Sequence, residues 1–226
     1  WHRLAINAFL FADYSVPLLY NKSTRKNMKQ NRENPFFETY RTPFGTPPFD
    51  QIETEQYEPA FDEGIWQLDE EVRAIADNTE LPTFENTIIA LERSGKLLDK
   101  VISAFFNVLN AEADDEMMDI SQRVSPKLSE SSNNIYLNEQ LFARVKSVYD
   151  RKDELHLPME DARLLEKTFE AFCARGAALG PEEKEKYRKL SSELSLLSLT
   201  FDQNALKDKN RYELLLTKED ELEGLP

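Results

Sequence analysis

The residues of this chain that could do chemistry are few in kind. There are two histidines, one cysteine and 42 carboxylates. A zinc helix of the H-E-x-x-H type needs two histidines one helical turn apart, on one face. His2 and His156 are far apart and belong to no such pair. Cys173 is the only thiol, so a histidine/cysteine metal site has no donor set and no disulfide can form within the chain. Cys173 falls on the apolar stripe of a predicted helix and reads as a small buried hydrophobe rather than a nucleophile. His156 precedes Leu157-Pro158 and reads as a surface or helix-flanking residue. The run Asp114-Asp115-Glu116 invites a calcium reading, but it lacks the alternating ligands, glycine and terminal glutamate of an EF-hand. Acids at a helix start explain it better, where they meet unpaired N–H groups. Neither a G-x-S-x-G elbow nor a Walker A loop occurs. No catalytic, cofactor-binding or metal-binding residue is therefore assigned from the residues alone.

Composition bounds the partners. The formal net charge is −14, which disfavours nucleic acid and anionic membrane surfaces as partners. No apolar run approaches the roughly 18 residues of a membrane span. A single cysteine fits a reducing compartment, so the expected location is cytoplasmic. Hydrophobic residues make up 40% of the chain and aromatics 11%, enough for a packed core.

The elements follow from periodicity. Residues 1–27 begin without Met and carry an interrupted apolar run, Leu4 to Ala12, with no clear cleavage site. They read as upstream sequence, with a natural start expected at Met28. The sequon Asn21-Lys22-Ser23 is too short a pattern to carry weight. Residues 28–53 are expected to form an extended arm. Its prolines exclude helix, and Phe36, Phe37, Tyr40, Phe44 and Phe49 are expected to lie on a helical surface. A proline-rich ligand for a partner's groove is the alternative reading.

Residues 54–226 read as an all-α assembly of about six long antiparallel helices. The first should run from about Glu55 to Asp77. A second, capped by Thr83, should run from about Phe84 to Asn110, with Gly95 inside it marking close approach by a neighbour. Asp114 caps a third, in which Pro126 should make a kink. Asn138 caps a fourth, to about Lys152. Pro158 opens a fifth, to Leu179, with Gly176 on its stripe and Gly180 at its end. The sixth, Pro181 to Leu206, has the cleanest pattern: Tyr187, Leu190, Leu194, Leu197, Phe201 and Ala205 make one stripe. It should run about 39 Å and serve as the spine of the bundle through that stripe. Tyr212, Leu214 and Leu216 then alternate as in one short strand.

Five stretches taken together carry a resemblance. NPFFETYRTPFGTPPFDQI, PTFENTIIALERSG, RLLEKTFEAFCARGAAL, LSLLSLTFDQNAL and LEGLP occur here in the order in which similar stretches occur in the thimet oligopeptidase-like zinc metallopeptidases. The TPFGTPPF form most resembles the bacterial peptidyl-dipeptidase (dipeptidyl carboxypeptidase) branch. The resemblance covers residue 34 onward. It implies a mostly helical, two-lobed enzyme around a deep channel, taking short peptides as substrates and releasing dipeptides from a free C-terminus. It also implies a zinc ion held by H-E-x-x-H and a later Glu, with the motif's Glu as general base. That motif does not occur here, so no site residue is carried over. The chain is expected to be the N-terminal helical portion, a channel wall that binds no zinc and is inactive without the missing catalytic portion. A stand-alone helical protein-interaction domain is the alternative. Surface facing an absent lobe would be apolar and should drive concentration-dependent association.

Overall fold

A computed structural model describes residues 34–112, 114–211 and 213. The predicted strand at Tyr212 to Leu216, the segment 1–27 and the closing LEGLP lie outside the described residues. Within them the chain is all-α and contains no strand. Six helices of eleven residues or more account for most of it.

The arm comes first, and it is a succession of short turns rather than a plain extended strand. Pro35–Phe37, Pro43–Gly45, Phe49–Gln51 and Thr54–Gln56 are single 3-10 turns. Prolines favour such turns because their fixed φ suits the first position and they lack an N–H to satisfy. Asn34 holds the arm at its start by donating to the Gln56 carbonyl at 2.8 Å. Only part of the aromatic set is laid down. Phe36 is buried, and Tyr40 and Ile52 pack against the same core. Phe37, Phe44 and Phe49 are exposed, against the expectation for them. Phe44 sits at φ 60°, where the turn at Gly45 turns its ring outward into water.

Helix α1, Tyr57–Ala76, presents Tyr57, Phe61, Val72 and Ile75 to the interior, as its periodicity predicts. Helix α2 begins behind a capping box. Thr83 Oγ1 accepts from the Asn86 N–H at 3.1 Å, and Asn86 Oδ1 accepts from the Thr83 N–H at 2.8 Å. It runs as a π-helical stretch, Phe84–Ile89, then as Ala90–Arg93. There it stops. Ser94 is extended and Gly95 takes φ +72°, so the single predicted helix to Asn110 is two. Gly95 is a left-handed break, a conformation that costs a residue with a Cβ. Its N–H, freed by the break, donates to Glu71 Oε2 at 2.7 Å. The close approach expected at Gly95 is present, since a Cβ there would stand 3.2 Å from Leu68 Cδ1 of α1, and a tighter one, backbone to backbone, occurs at Gly64 of α1. A Cβ added there would stand 3.0 Å from the Leu98 Cα of α3, Lys96–Glu112.

Asp114 caps α4, Asp115–Tyr136, by accepting from the Met117 N–H at 2.8 Å. Its acids therefore act at a helix start. The helix continues through Pro126 as one element and buries Met117, Ile120, Val124 and Leu128. Asn138 caps α5, Glu139–Tyr149, through the Leu141 N–H at 2.9 Å. Helix α6, Met159–Ala174, ends earlier than expected, because Gly176 at φ +85° terminates it rather than continuing its stripe. Helix α7, Pro181–Arg211, is longer than its pattern suggested.

Two cores result. The first gathers Phe36, Tyr57, Phe61, Val101, Phe105 and Ile120 between the arm, α1, α3 and α4. Phe105 meets Tyr57 and Phe61 edge-on, at 5.0 and 5.3 Å between ring centres. That is the arrangement the ring quadrupole favours. The second gathers Val72, Ile88, Leu141, Val145, Leu165 and Phe172 between α1, α2, α5 and α6. Arg144 is buried beside it, with both terminal nitrogens on fixed partners and its Nε left without one. Its Nη1 donates to the Asn78 and Glu80 carbonyls at 2.6 and 3.0 Å, and its Nη2 to Asn86 Oδ1 at 3.0 Å. A buried guanidinium with such partners pins the α1–α2 turn against α5.

Candidate functional site

Among the described residues, the groups weighed for chemistry, His156, Cys173 and the acids at Asp114, do not come together. His156 is exposed, at φ 45° in the loop before α6. Cys173 is exposed, which corrects its reading as a buried hydrophobe. The neighbouring Phe172 takes the inward position, and one residue along a helix turns the side chain about 100° away. Among the described residues no three His, Cys, Asp or Glu side chains are placed to hold a metal ion. The residues present do not fit a zinc site, and no catalytic step is assigned to them.

Two features stand out among the described residues, a cavity and an exposed helix face. A cavity of about 120 Å³ lies where the two cores meet. Leu68, Leu91, Leu98, Ile135, Tyr136 and Phe172 give it apolar walls, while Ser94, Asp99 and Ser131 supply polar edges. Near it, Ser131 Oγ donates to Asp69 Oδ1 at 2.9 Å. Burial pushes the Asp69 carboxyl above its ordinary value of 3.8, against the smaller opposing pulls of Ser131 and Arg73. The Tyr136 phenol is likewise raised by burial, although Arg175, stacked 4.2 Å from its ring centre, pulls the other way. Sequence reasoning had no signal for this cavity, since it forms between helices that are distant in sequence.

The arm is fastened by Lys100. Its Nζ donates to the carbonyls of Phe36 and Glu38 at 2.8 and 2.6 Å and lies 3.7 Å from the centre of the Tyr40 ring. Burial lowers the Lys100 pKa, with Glu38 working in opposition. Burial together with Tyr57 pushes the Tyr40 phenol up to about 12. These groups hold the arm to α3, and nothing in their arrangement transfers a proton or a bond.

The exposed face belongs to α7, and here the structure reverses the expectation. The stripe predicted to be the inner spine faces outward: Leu190, Leu194, Leu197 and Phe201 are 63%, 65%, 62% and 72% exposed. Lys184, Ser192, Ser195 and Leu199 are buried instead. The seam against α4 is largely polar. Asn133 donates to Ser191 Oγ at 3.3 Å, Arg188 to Asn134 Oδ1 at 3.2 Å, and Gln122 to Gln203 Oε1 at 3.2 Å. Lys184 Nζ is 3.0 Å from Glu139 Oε1. The serines can be buried because they bond within their own helix. Ser195 Oγ donates to the Ser191 carbonyl at 2.8 Å, and Ser191 Oγ to the Arg188 carbonyl at 3.0 Å. On α4, Ser125 and Ser129 fall between Gln122 and Asn133 at helical spacing and are buried as well, with the Ser125 hydroxyl left without a hydrogen-bond partner.

No protein-family model matches the chain. Over 173 residues it is 43% identical to a dipeptidyl carboxypeptidase of Escherichia coli K12, an alignment covering 76% of this chain and 25% of that protein. It is 24% identical to an oligopeptidase A of the same organism over 185 residues, covering 82% of this chain and 27% of that protein. A thimet-like oligopeptidase of Dictyostelium discoideum is 27% identical over 176 residues, covering 76% and 26%. The chain's homologues are thus peptidases, as the five sequence stretches imply, and its resemblance to the dipeptidyl carboxypeptidase and thimet-like oligopeptidase group stands. It spans about a quarter of the length of these curated relatives. No helix among the described residues is long and apolar enough to cross a membrane.

Proposed function

We propose that the chain is the N-terminal helical portion of a zinc-dependent peptidyl-dipeptidase. In the whole protein it would form one wall of a channel that admits short peptides, and dipeptides would leave from the free C-terminus. Residues 28–53 would be its arm and residues 54–226 its helical body. Residues 1–27 would be no part of the working enzyme. The observation that carries this reading is the 43% identity to a dipeptidyl carboxypeptidase, spread over three quarters of this chain but over one quarter of that protein. The H-E-x-x-H helix, its zinc and the general base would lie in the remaining polypeptide, and the enzyme would work in the cytoplasm.

The test is direct. The 226-residue chain, supplied with zinc and a short peptide with a free C-terminus, should release no dipeptide. A full-length protein carrying it should do so, and a chelator should stop the reaction. Sustained, chelator-sensitive release by the chain alone would refute this assignment. A second reading, a self-contained helical interaction domain, draws on the exposed α7 stripe. A coding sequence that continues into H-E-x-x-H favours the first reading, and a stop codon after Pro226 the second.

A further inference from the structure

We propose that the outward face of α7 is the seat of a helix from the remaining polypeptide, packed lengthwise as in a two-helix seam. The inference rests on the chain being part of a longer peptidase. Tyr187, Leu190, Leu194, Leu197 and Phe201 repeat at three and four residues, which are the a and d positions of a heptad. Ser192 and Leu199, buried on the bundle side, fall at position f, directly opposite. The helix is therefore already held on one side and presents an apolar seam on the other, exposed at Leu190, Leu194, Leu197 and Phe201, with Tyr187 half-buried at its start. From Leu190 to Phe201 the exposed seam is about 17 Å long. A contiguous row of this kind is larger than the scattered apolar residues of an ordinary surface.

Three observations choose the occupant. The flanking g and e positions hold Lys186, Glu193 and Thr200 on one side and Ser191, Ser198 and Ala205 on the other. They carry two charges of opposite sign, so an apolar helix fits and a strongly charged one gains nothing. The net charge of −14 opposes a second copy of this chain. The relatives provide about three quarters of their length beyond the matched stretch, so a covalently attached partner is available at high local concentration.

The experiment compares thiol alkylation in two settings. Leu194→Cys, and Lys189→Cys on the solvent side, are each made in a Cys173→Ser background. One setting is the 226-residue chain. The other is a full-length chimera in which residues 34–211 replace the matched segment of the E. coli dipeptidyl carboxypeptidase. Iodoacetamide labelling is followed peptide by peptide, and dipeptide release is measured on the same samples. The proposal expects both thiols to react alike in the chain alone. In the chimera the thiol of Leu194→Cys should slow about 100-fold or more, because access then requires local opening, while that of Lys189→Cys keeps its rate. Equal rates for Leu194→Cys in both settings overturn the proposal. Labelling is run at low concentration, because the bare face is expected to associate when the chain is concentrated; protection in the chain alone that persists on dilution overturns the proposal in favour of a second copy. Protection that appears only when a peptide is added overturns it in favour of a substrate face. If the chimera fails to fold, the same two positions in the intact E. coli relative decide the question by the same criteria. Dipeptide release with rapid labelling sinks only the docking inference. Protection without release sinks only the peptidase reading.

Discussion

Leu194 and Ser195 are neighbours in sequence, and the orientation of α7 gives them opposite sensitivities. Leu194 is 65% exposed and Ser195 is 8% exposed. Full burial of a leucine side chain is worth about 1.5–3 kcal/mol. With about a third of it out of water, Leu194 contributes roughly 0.5–1 kcal/mol. Leu194→Gln, which keeps helix propensity nearly constant, should therefore cost no more than about 1 kcal/mol. Ser195→Leu pushes two extra heavy atoms, and a branched shape, into the seam with α4. Overpacking of that kind costs about 1–3 kcal/mol, although leucine is the better helix former. An inward apolar stripe predicts the reverse order, with Leu194→Gln costing about 2 kcal/mol or more and Ser195→Leu neutral. Urea titrations of the 226-residue chain at one low protein concentration, with m-values compared to confirm a common unfolded state, measure both. Finding Leu194→Gln the more damaging of the two would refute the orientation of α7 and the docking inference with it.

Two further predictions concern the body of the bundle. Gly64→Ala would place a Cβ 3.0 Å from the Leu98 Cα, 0.5 Å or more inside the usual carbon–carbon separation of about 3.5–4.0 Å, and backbone cannot swing aside. A net loss of about 1–2 kcal/mol is expected despite the propensity gain of up to about 1 kcal/mol, and thermal melting that leaves Tm unchanged or raised would contradict the close α1–α3 approach. Asp69→Asn should help as pH rises: burial favours the neutral acid in the folded state, so the parent loses stability as pH climbs through the raised Asp69 pKa. Below 3.8 the two proteins should differ least and at pH 7 the variant should be relatively more stable; a Tm difference that does not change with pH would remove the buried-carboxylate account.

Much of the scaffold was legible in the sequence because caps and periodicity are local. Thr83, Asp114 and Asn138 each cap the helix that their position predicts. The inward faces of α1, α4 and α5 follow from spacing alone. The illegible parts depend on neighbours. A helical pattern identifies an apolar stripe without saying that the rest of the bundle reaches it. In α7 the serine side is the one α4 meets, because short side chains that bond their own backbone allow two helices to approach. Gly64 and Gly95 look alike as interruptions of a stripe. Only the path of the chain shows that one receives a neighbouring backbone and the other turns left-handed. The arm shows the same limit, since its four phenylalanines are alike by type, yet Phe36 reaches the core while Phe37, Phe44 and Phe49 stay exposed. The candidate site was less legible still. The cavity joins residues from α1, α2, α3, α4 and α6, and no local pattern encodes that meeting.

Helix α1 lends Phe61 to one core and Val72 to the other, while Leu68 packs against both. Helix α4 does likewise, with Leu128 in the first core and Tyr136 in the second, so heat or denaturant meets two structural units joined by two rods. Melting the α5–α6 side strips the C-terminal half of α1 of its cover, and the loss propagates toward Phe61 along the helix itself. Along α1, Leu68 is the side chain common to both cores, beside the cavity, and the coupling within this helix passes through it. Native-state hydrogen exchange should accordingly resolve two protection plateaus within this one helix, with the change of slope near Leu68.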